Sequence, residues 1–183
     1  WSRLMNQYLL NQPDVQNDLM AWNADATRMP YRMHTEYLRH LFLENDLAEG
    51  RYLIDNRPIA LTDIRAPIFS VGTLTDHVAP WRSAFKIHLL TDTEVTFLLT
   101  NGGHNAGVVS PPGKANRHYR IATREHRDAN VDPESRMNSV PQQQGSWWPA
   151  WEYWLARHAG AMVAPPAMGE ALCDAPGSYV MES

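Results

Sequence analysis

From position 64 onward, short apolar runs of strand length alternate with stretches of helical spacing. Ala66 to Val71, with Pro67-Ile68-Phe69 inside it, is one such run and ends at Gly72. Pro80 to Leu90 sets Trp81, Phe85, Ile87 and Leu89 along an amphipathic helix. Val95 to Leu99 is a second apolar run, closed by Asn101-Gly102-Gly103. A continuous run, with no alternation, predicts a strand covered on both faces. Strand, helix and strand with short connections is the pattern of a βαβ unit, which predicts an α/β fold with a mostly parallel sheet and flanking helices.

The flanks are less regular. Asp14 to Leu47 reads as an irregular helical region broken by a loop over Trp22 to Thr27, with Pro30 in a first helical turn and Tyr31, Leu38, Leu41 and Phe42 on one face. Gly50 provides a stop. Tyr52 to Ile54 and Ile59 to Leu61 are short extended pieces around the turn residues Asp55-Asn56-Arg57-Pro58. Ser110 to Gln144 is polar, proline-bearing and aperiodic, and predicts a long surface excursion. Trp148 to His158 is a helix rich in tryptophan, and the tail around Pro165-Pro166 and Pro176-Gly177 is irregular. The chain opens on Trp1, with Leu4, Met5, Tyr8 and Leu9 already at helical spacing. That beginning predicts a piece of something longer.

Composition narrows the classes. The 183 residues are 44% hydrophobic and 20% charged with a net charge of −4, a globular composition without the basic footprint that nucleic acid requires. The apolar runs fall far short of the roughly 20 residues of a membrane-spanning helix, and no signal-peptide pattern is present. The single cysteine, Cys173, excludes an internal disulfide framework and fits a reducing cytoplasm.

Two polar clusters follow the two predicted strands, where open α/β sheets place their sites. Thr75-Asp76-His77 follows the first and Gly102-Gly103-His104 the second. An aspartate and then a histidine on successive strand ends is the order in which α/β-hydrolases supply acid and base. Asp76 would orient the imidazole of His104 and stabilise its charged form. Asp76 equally suits a cap for the following helix, and His104 a loop position. His77 is either a substrate contact or a surface residue. No Gly-x-Ser/Cys-x-Gly elbow occurs to supply a nucleophile, and Cys173 lacks flanking glycines. His118, Glu125, His126 and Asp128 lie in the aperiodic stretch without metal-ligand spacing, so neither metal nor cofactor is expected. Trp147, Trp148, Trp151 and Trp154 predict core packing or a partner face.

Several segments resemble, in order, the C-terminal motifs of polyhydroxyalkanoate synthases. They are Trp22-Asn23-Ala24-Asp25-Ala26-Thr27-Arg28-Met29-Pro30, Tyr37-Leu38-Arg39, Thr75-Asp76-His77-Val78-Ala79-Pro80-Trp81, Gly102-Gly103-His104-Asn105-Ala106-Gly107-Val108-Val109-Ser110-Pro111-Pro112, Gly145-Ser146-Trp147-Trp148-Pro149-Ala150-Trp151 and Asp174-Ala175-Pro176-Gly177-Ser178-Tyr179-Val180. The resemblance implies the C-terminal part of a single-subunit synthase of α/β-hydrolase type. Residues 1–48 would be the remainder of a helical cap and 49–183 the end of the catalytic core. It implies polymerisation of (R)-3-hydroxyacyl-CoA with release of coenzyme A, which is a substrate component and not a cofactor. Asp76 and His104 match the catalytic aspartate and histidine, and the cysteine they serve lies outside this chain. A homodimer on cytoplasmic polyester granules is implied for the full-length protein. Asn105 and Ser110 depart from the usual motif, beside His104. An esterase, thioesterase or depolymerase on the same scaffold, and a non-catalytic partner of a synthase or granule, are the competing readings.

Overall fold

The computed structural model describes residues 9–10, 28–126, 128–129, 131–175 and 177–178. About half of the predicted cap remainder, including Trp22 to Thr27 of the motif beginning at Trp22, lies outside the described residues, as does part of the Asp174 to Val180 motif. The chain divides into two compact units, Trp1–Arg65 with Leu90–Asp92, and Ala66–Leu89 with Thr93–Ser183.

In the first unit, α1 (Tyr31–Tyr37) runs into a π-helical turn (Leu38–Leu43). Pro30 stands just before the helix, where its missing N–H costs nothing, and its carbonyl accepts from His34 N–H at 3.0 Å. Tyr31, Leu38 and Phe42 are exposed. β1 (Tyr52–Ile54) and β2 (Arg57–Ile59) form an antiparallel hairpin. Its turn is Asp55-Asn56, with φ of 48° and 61°. Two successive residues of positive φ make the tight turn whose twist matches paired strands, and Asp and Asn tolerate that region. The turn is therefore two residues long instead of the four expected, and Arg57 and Pro58 belong to β2.

The second unit is built on a mixed sheet of β3 (Ile68–Thr73), β4 (Val95–Thr100), β5 (His118–Arg124) and β6 (Gln143–Gln144), in that spatial order. β3 and β4 pair in parallel, with Ile68 opposite Val95 and Thr73 opposite Thr100. The crossover between them contains α2 (Trp81–Phe85) and α3 (Ile87–Leu90), so the single helix expected over Pro80 to Leu90 is broken at Lys86. The expectation of a mostly parallel sheet is corrected, because β4–β5 and β5–β6 are antiparallel. Thr100 pairs with Tyr119, so β5 sets out from the end at which β4 finishes, and no return crossover exists to make it parallel.

The surface excursion over Ser110 to Gln144 is corrected too, since it contains β5, α5 (Pro133–Asn138) and β6. Its charged residues hid the strand. Arg120, in mid-strand, donates to the carbonyls of Met137 (3.3 Å) and Val140, closing the end of α5.

β4 explains why a continuous apolar run was needed. Phe97 and Leu99 pack with Trp81, Phe85 and Met137 on one face of the sheet. Leu98 packs with Tyr119 and Trp147 on the other. There α6 (Trp148–His158) has the bounds the spacing predicted and places Trp154 edge-on to Phe69, with ring centroids 5.5 Å apart. β3 ends the sheet, and among the described residues its outer edge carries no strand. No described helix is long and apolar enough to cross a membrane.

Candidate active site

Parallel pairing continues past the ends of β3 and β4 into their loops. Leu74 N–H donates to Thr100 O at 2.8 Å and Thr75 N–H to Gly102 O at 3.1 Å. This places the residues after the two strands side by side. Gly102 has φ +107°, a conformation that L side chains rarely adopt, and a Cβ there would stand 2.7 Å from the Arg117 guanidinium. Beyond it, Gly103 leads into α4 (His104–Val108), whose first residue is His104.

Asp76 and His104 meet. His104 Nδ1 lies 2.9 Å from Asp76 Oδ2. Thr73 Oγ1 donates to the same carboxylate oxygen at 3.1 Å, while Oδ1 accepts from the N–H groups of Val78 (2.8 Å) and Ala79 (2.9 Å). The histidine-orienting contact of Asp76 is thus made, on Oδ2, whereas the capping reading is corrected: α2 begins at Trp81 with no side-chain cap, and Oδ1 instead closes the turn before it. The Ala79 N–H, then His104, the Val78 N–H and the Thr73 hydroxyl hold the carboxyl far below the usual carboxylate range, against the opposing effect of burial. The Asp76 side chain is 7% exposed and that of His104 50%. With Nδ1 engaged, Nε2 is the ring nitrogen left for proton exchange with a reacting group. This arrangement can hold an imidazole in one orientation and stabilise its protonated form.

His77 is exposed, and no hydrogen bond joins it to the pair among the described residues. Cys173 is exposed in the tail. Ser110, one of the two departures, is fully buried, and its carbonyl accepts from Ser146 Oγ. In the first unit His40, Glu44 and Asp46 bring ligating atoms within 4.8 Å of one another, a grouping the spacing did not single out. There Arg51 Nε already donates to Asp46 at 3.1 Å, and His40 Nδ1 stands 2.8 Å from the same carboxyl, which makes the group an ion-pair cluster.

The spacing also missed what holds α4. Trp147 Nε1 donates to Gly107 O at 3.1 Å and Trp148 Nε1 to Val108 O at 3.0 Å. A buried indole N–H needs an acceptor, so the tryptophans announce such bonds in the sequence, but not the carbonyls that receive them. Gly107 lies flush against Thr73, where a Cβ would stand 2.4 Å from Thr73 Cγ2.

An acid–base pair on successive strand ends of an α/β unit is the class of site that this geometry defines. No family model matches the chain. Over its whole length, however, the chain is similar to poly(3-hydroxyalkanoate) polymerases. It is 39% identical over 186 residues to the poly(3-hydroxyalkanoate) polymerase subunit PhaC of Rhizobium etli, covering 100% of this chain and 29% of that protein. It is 37% identical over 185 residues to the poly(3-hydroxyalkanoate) polymerase of Methylorubrum extorquens, covering 98% and 30%. To the subunit PhaC of Cupriavidus necator it is 35% identical over 187 residues, covering 98% and 31%. The chain thus spans about 30% of the length of the curated relatives it matches, and these relatives support the reading of it as a piece of a polyhydroxyalkanoate synthase.

Proposed function

We propose that the chain supplies the acid and base of an acyltransferase that polymerises (R)-3-hydroxyacyl-CoA into polyhydroxyalkanoate with release of coenzyme A. The observation that carries this reading is the 2.9 Å contact of His104 Nδ1 with Asp76, on loops that follow two parallel strands. The likeness to the polymerases supports it. The scaffold is the end of an α/β-hydrolase core, and the nucleophile is a cysteine supplied from outside these residues.

His104 Nε2 takes the thiol proton, because the thiolate is the attacking form. The thiolate adds to the acyl carbonyl, the C–S bond to coenzyme A breaks, and the proton passes to the departing thiolate. The hydroxyl of a second hydroxyacyl unit then loses its proton to His104 and attacks the acyl-enzyme. A new ester bond forms and the cysteine thiol returns. Asp76 orients His104 and stabilises its imidazolium in both halves. His77 faces substrate. The whole enzyme works without a further cofactor, as a homodimer on cytoplasmic polyester granules.

The test is coenzyme A release from 3-hydroxybutyryl-CoA. The 183-residue chain should be inactive, a longer protein containing it active, and His104→Ala in that protein nearly inactive. Asp76→Asn there should lower the rate by a factor of up to about 10⁴ if the aspartate sets the tautomer. Turnover by the bare chain that survives Cys173→Ala would refute the missing-nucleophile reading. Free hydroxy acid with no polymer as the product would point to a thioesterase instead.

A further inference from the structure

Once Asp76 fixes one end of His104, something else must fix the peptide that carries it. α4 spans only His104–Val108, five residues, too short to be stable on its own. Its last carbonyls have no helical partners and need donors from elsewhere. The donors come from the segment Gly145-Ser146-Trp147-Trp148, roughly forty residues later. Trp147, 5% exposed, donates its indole N–H to Gly107 O, and Trp148 donates to Val108 O. Ser146 joins the same contact, donating from Oγ to Ser110 O just past the helix, and Trp148 N–H in turn donates to Ser146 Oγ at 3.1 Å.

The clamp is continuous with the pair. Gly107 N–H bonds to Gly103 O at 2.8 Å, which spans the peptide of His104, and Gly107 sits against Thr73, whose hydroxyl donates to Asp76. A shift of α4 along or away from the sheet would therefore break an indole bond and change the His104–Asp76 distance together.

We infer that Trp147 and Trp148 are positioning residues for His104: their indole N–H groups hold the end of α4, and so set the geometry in which Asp76 selects the Nδ1–H tautomer of the imidazole. This rests on the acid–base reading of the site. The tryptophan helix becomes part of the site's support, where the sequence offered only core packing or a partner face.

The test uses the 183-residue chain and no activity assay. Ring nitrogen NMR shifts of His104, at a pH where it is neutral, give the ratio of its two tautomers. Trp148→Phe keeps the bulk of a half-buried ring and removes one N–H. It should raise the Nε2–H fraction, by up to about fivefold if the full weight of one net hydrogen bond passes into the tautomer equilibrium. Trp147→Phe should act in the same direction. Trp151→Phe removes an indole of the same helix that makes no bond to α4, and should leave the ratio unchanged. Far-ultraviolet circular dichroism checks that each variant is folded. An unchanged ratio in folded Trp148→Phe and Trp147→Phe, or an equal change in Trp151→Phe, overturns the positioning role. Asp76→Asn separates the two readings: if it shifts the ratio while the tryptophan variants do not, the pair stands and the clamp falls. If Asp76→Asn leaves the ratio unchanged, the pair itself is refuted, and the clamp with it.

Discussion

Gly107→Ala tests the close approach on which the site depends. A Cβ at 107 would stand 2.4 Å from Thr73 Cγ2, 2.9 Å from Thr73 Cβ and 3.3 Å from Asn101 O. Carbon atoms rest about 3.5–4.0 Å apart, so α4 and the end of β3 must part by roughly 1 Å or Thr73 must turn. Thr73 is buried and its hydroxyl donates to Asp76, so turning it loses that bond. Parting the elements strains the bonds from Trp147 and Trp148. Overpacking of this kind costs about 1–3 kcal/mol. A lost hydrogen bond adds about 1 kcal/mol, and replacing glycine by alanine within a helix returns about 1 kcal/mol. The net loss should be about 1–3 kcal/mol, read as a lower urea midpoint in tryptophan fluorescence. Thr73→Ser removes the nearest clashing atom, the methyl, and keeps the hydroxyl, so the double variant should regain part of the loss, the 2.9 Å approach to the Cβ of residue 73 remaining. A Gly107→Ala chain as stable as the parent, or no recovery in the double variant, would refute the argument.

Asp76 and His88 give two pH signatures. The Asp76 carboxyl is lowered from its ordinary 3.8 on folding, so its contribution to stability is present above that value and lost as pH falls below it. The midpoint difference between parent and Asp76→Asn should be large at pH 7 and shrink by pH 3; a gap independent of pH would contradict it. His88, buried against Phe85 with ring centroids 4.4 Å apart, is pushed from 6.5 down to about 4 by burial, then by Arg124 and Arg136. Between those values the unfolded chain holds a proton that the folded chain does not, so stability rises with pH through that window and the gain is complete above 6.5. His88→Leu should flatten the dependence over the same window, and an unchanged slope would show that other groups cause it.

Much of this was decided by local sequence. The apolar runs ending at Gly72 and Asn101 are β3 and β4 because strands covered on both faces need no polar alternation. The Asp76 and His104 clusters fall after them, and helix α6 starts and stops at the predicted residues. Strand direction was not local. Whether β5 runs parallel or antiparallel depends on the end of the sheet at which the chain turns, and the period of two along a strand is the same either way. β5 itself was hidden because Arg120 and Arg124, read as surface residues, find carbonyl partners only once α5 and the start of β4 are in place. Asp76 shows the division within one side chain. Its bonds to Val78 and Ala79 lie two and three residues away and follow from the local turn an aspartate side chain makes with the backbone just after it. Its bond to His104 spans 28 positions, and those from Trp147 and Trp148 to α4 span 40. Hydrogen bonds act over about 3 Å, so spacing along the chain identifies the groups that need partners, and only tertiary packing determines which partners they meet.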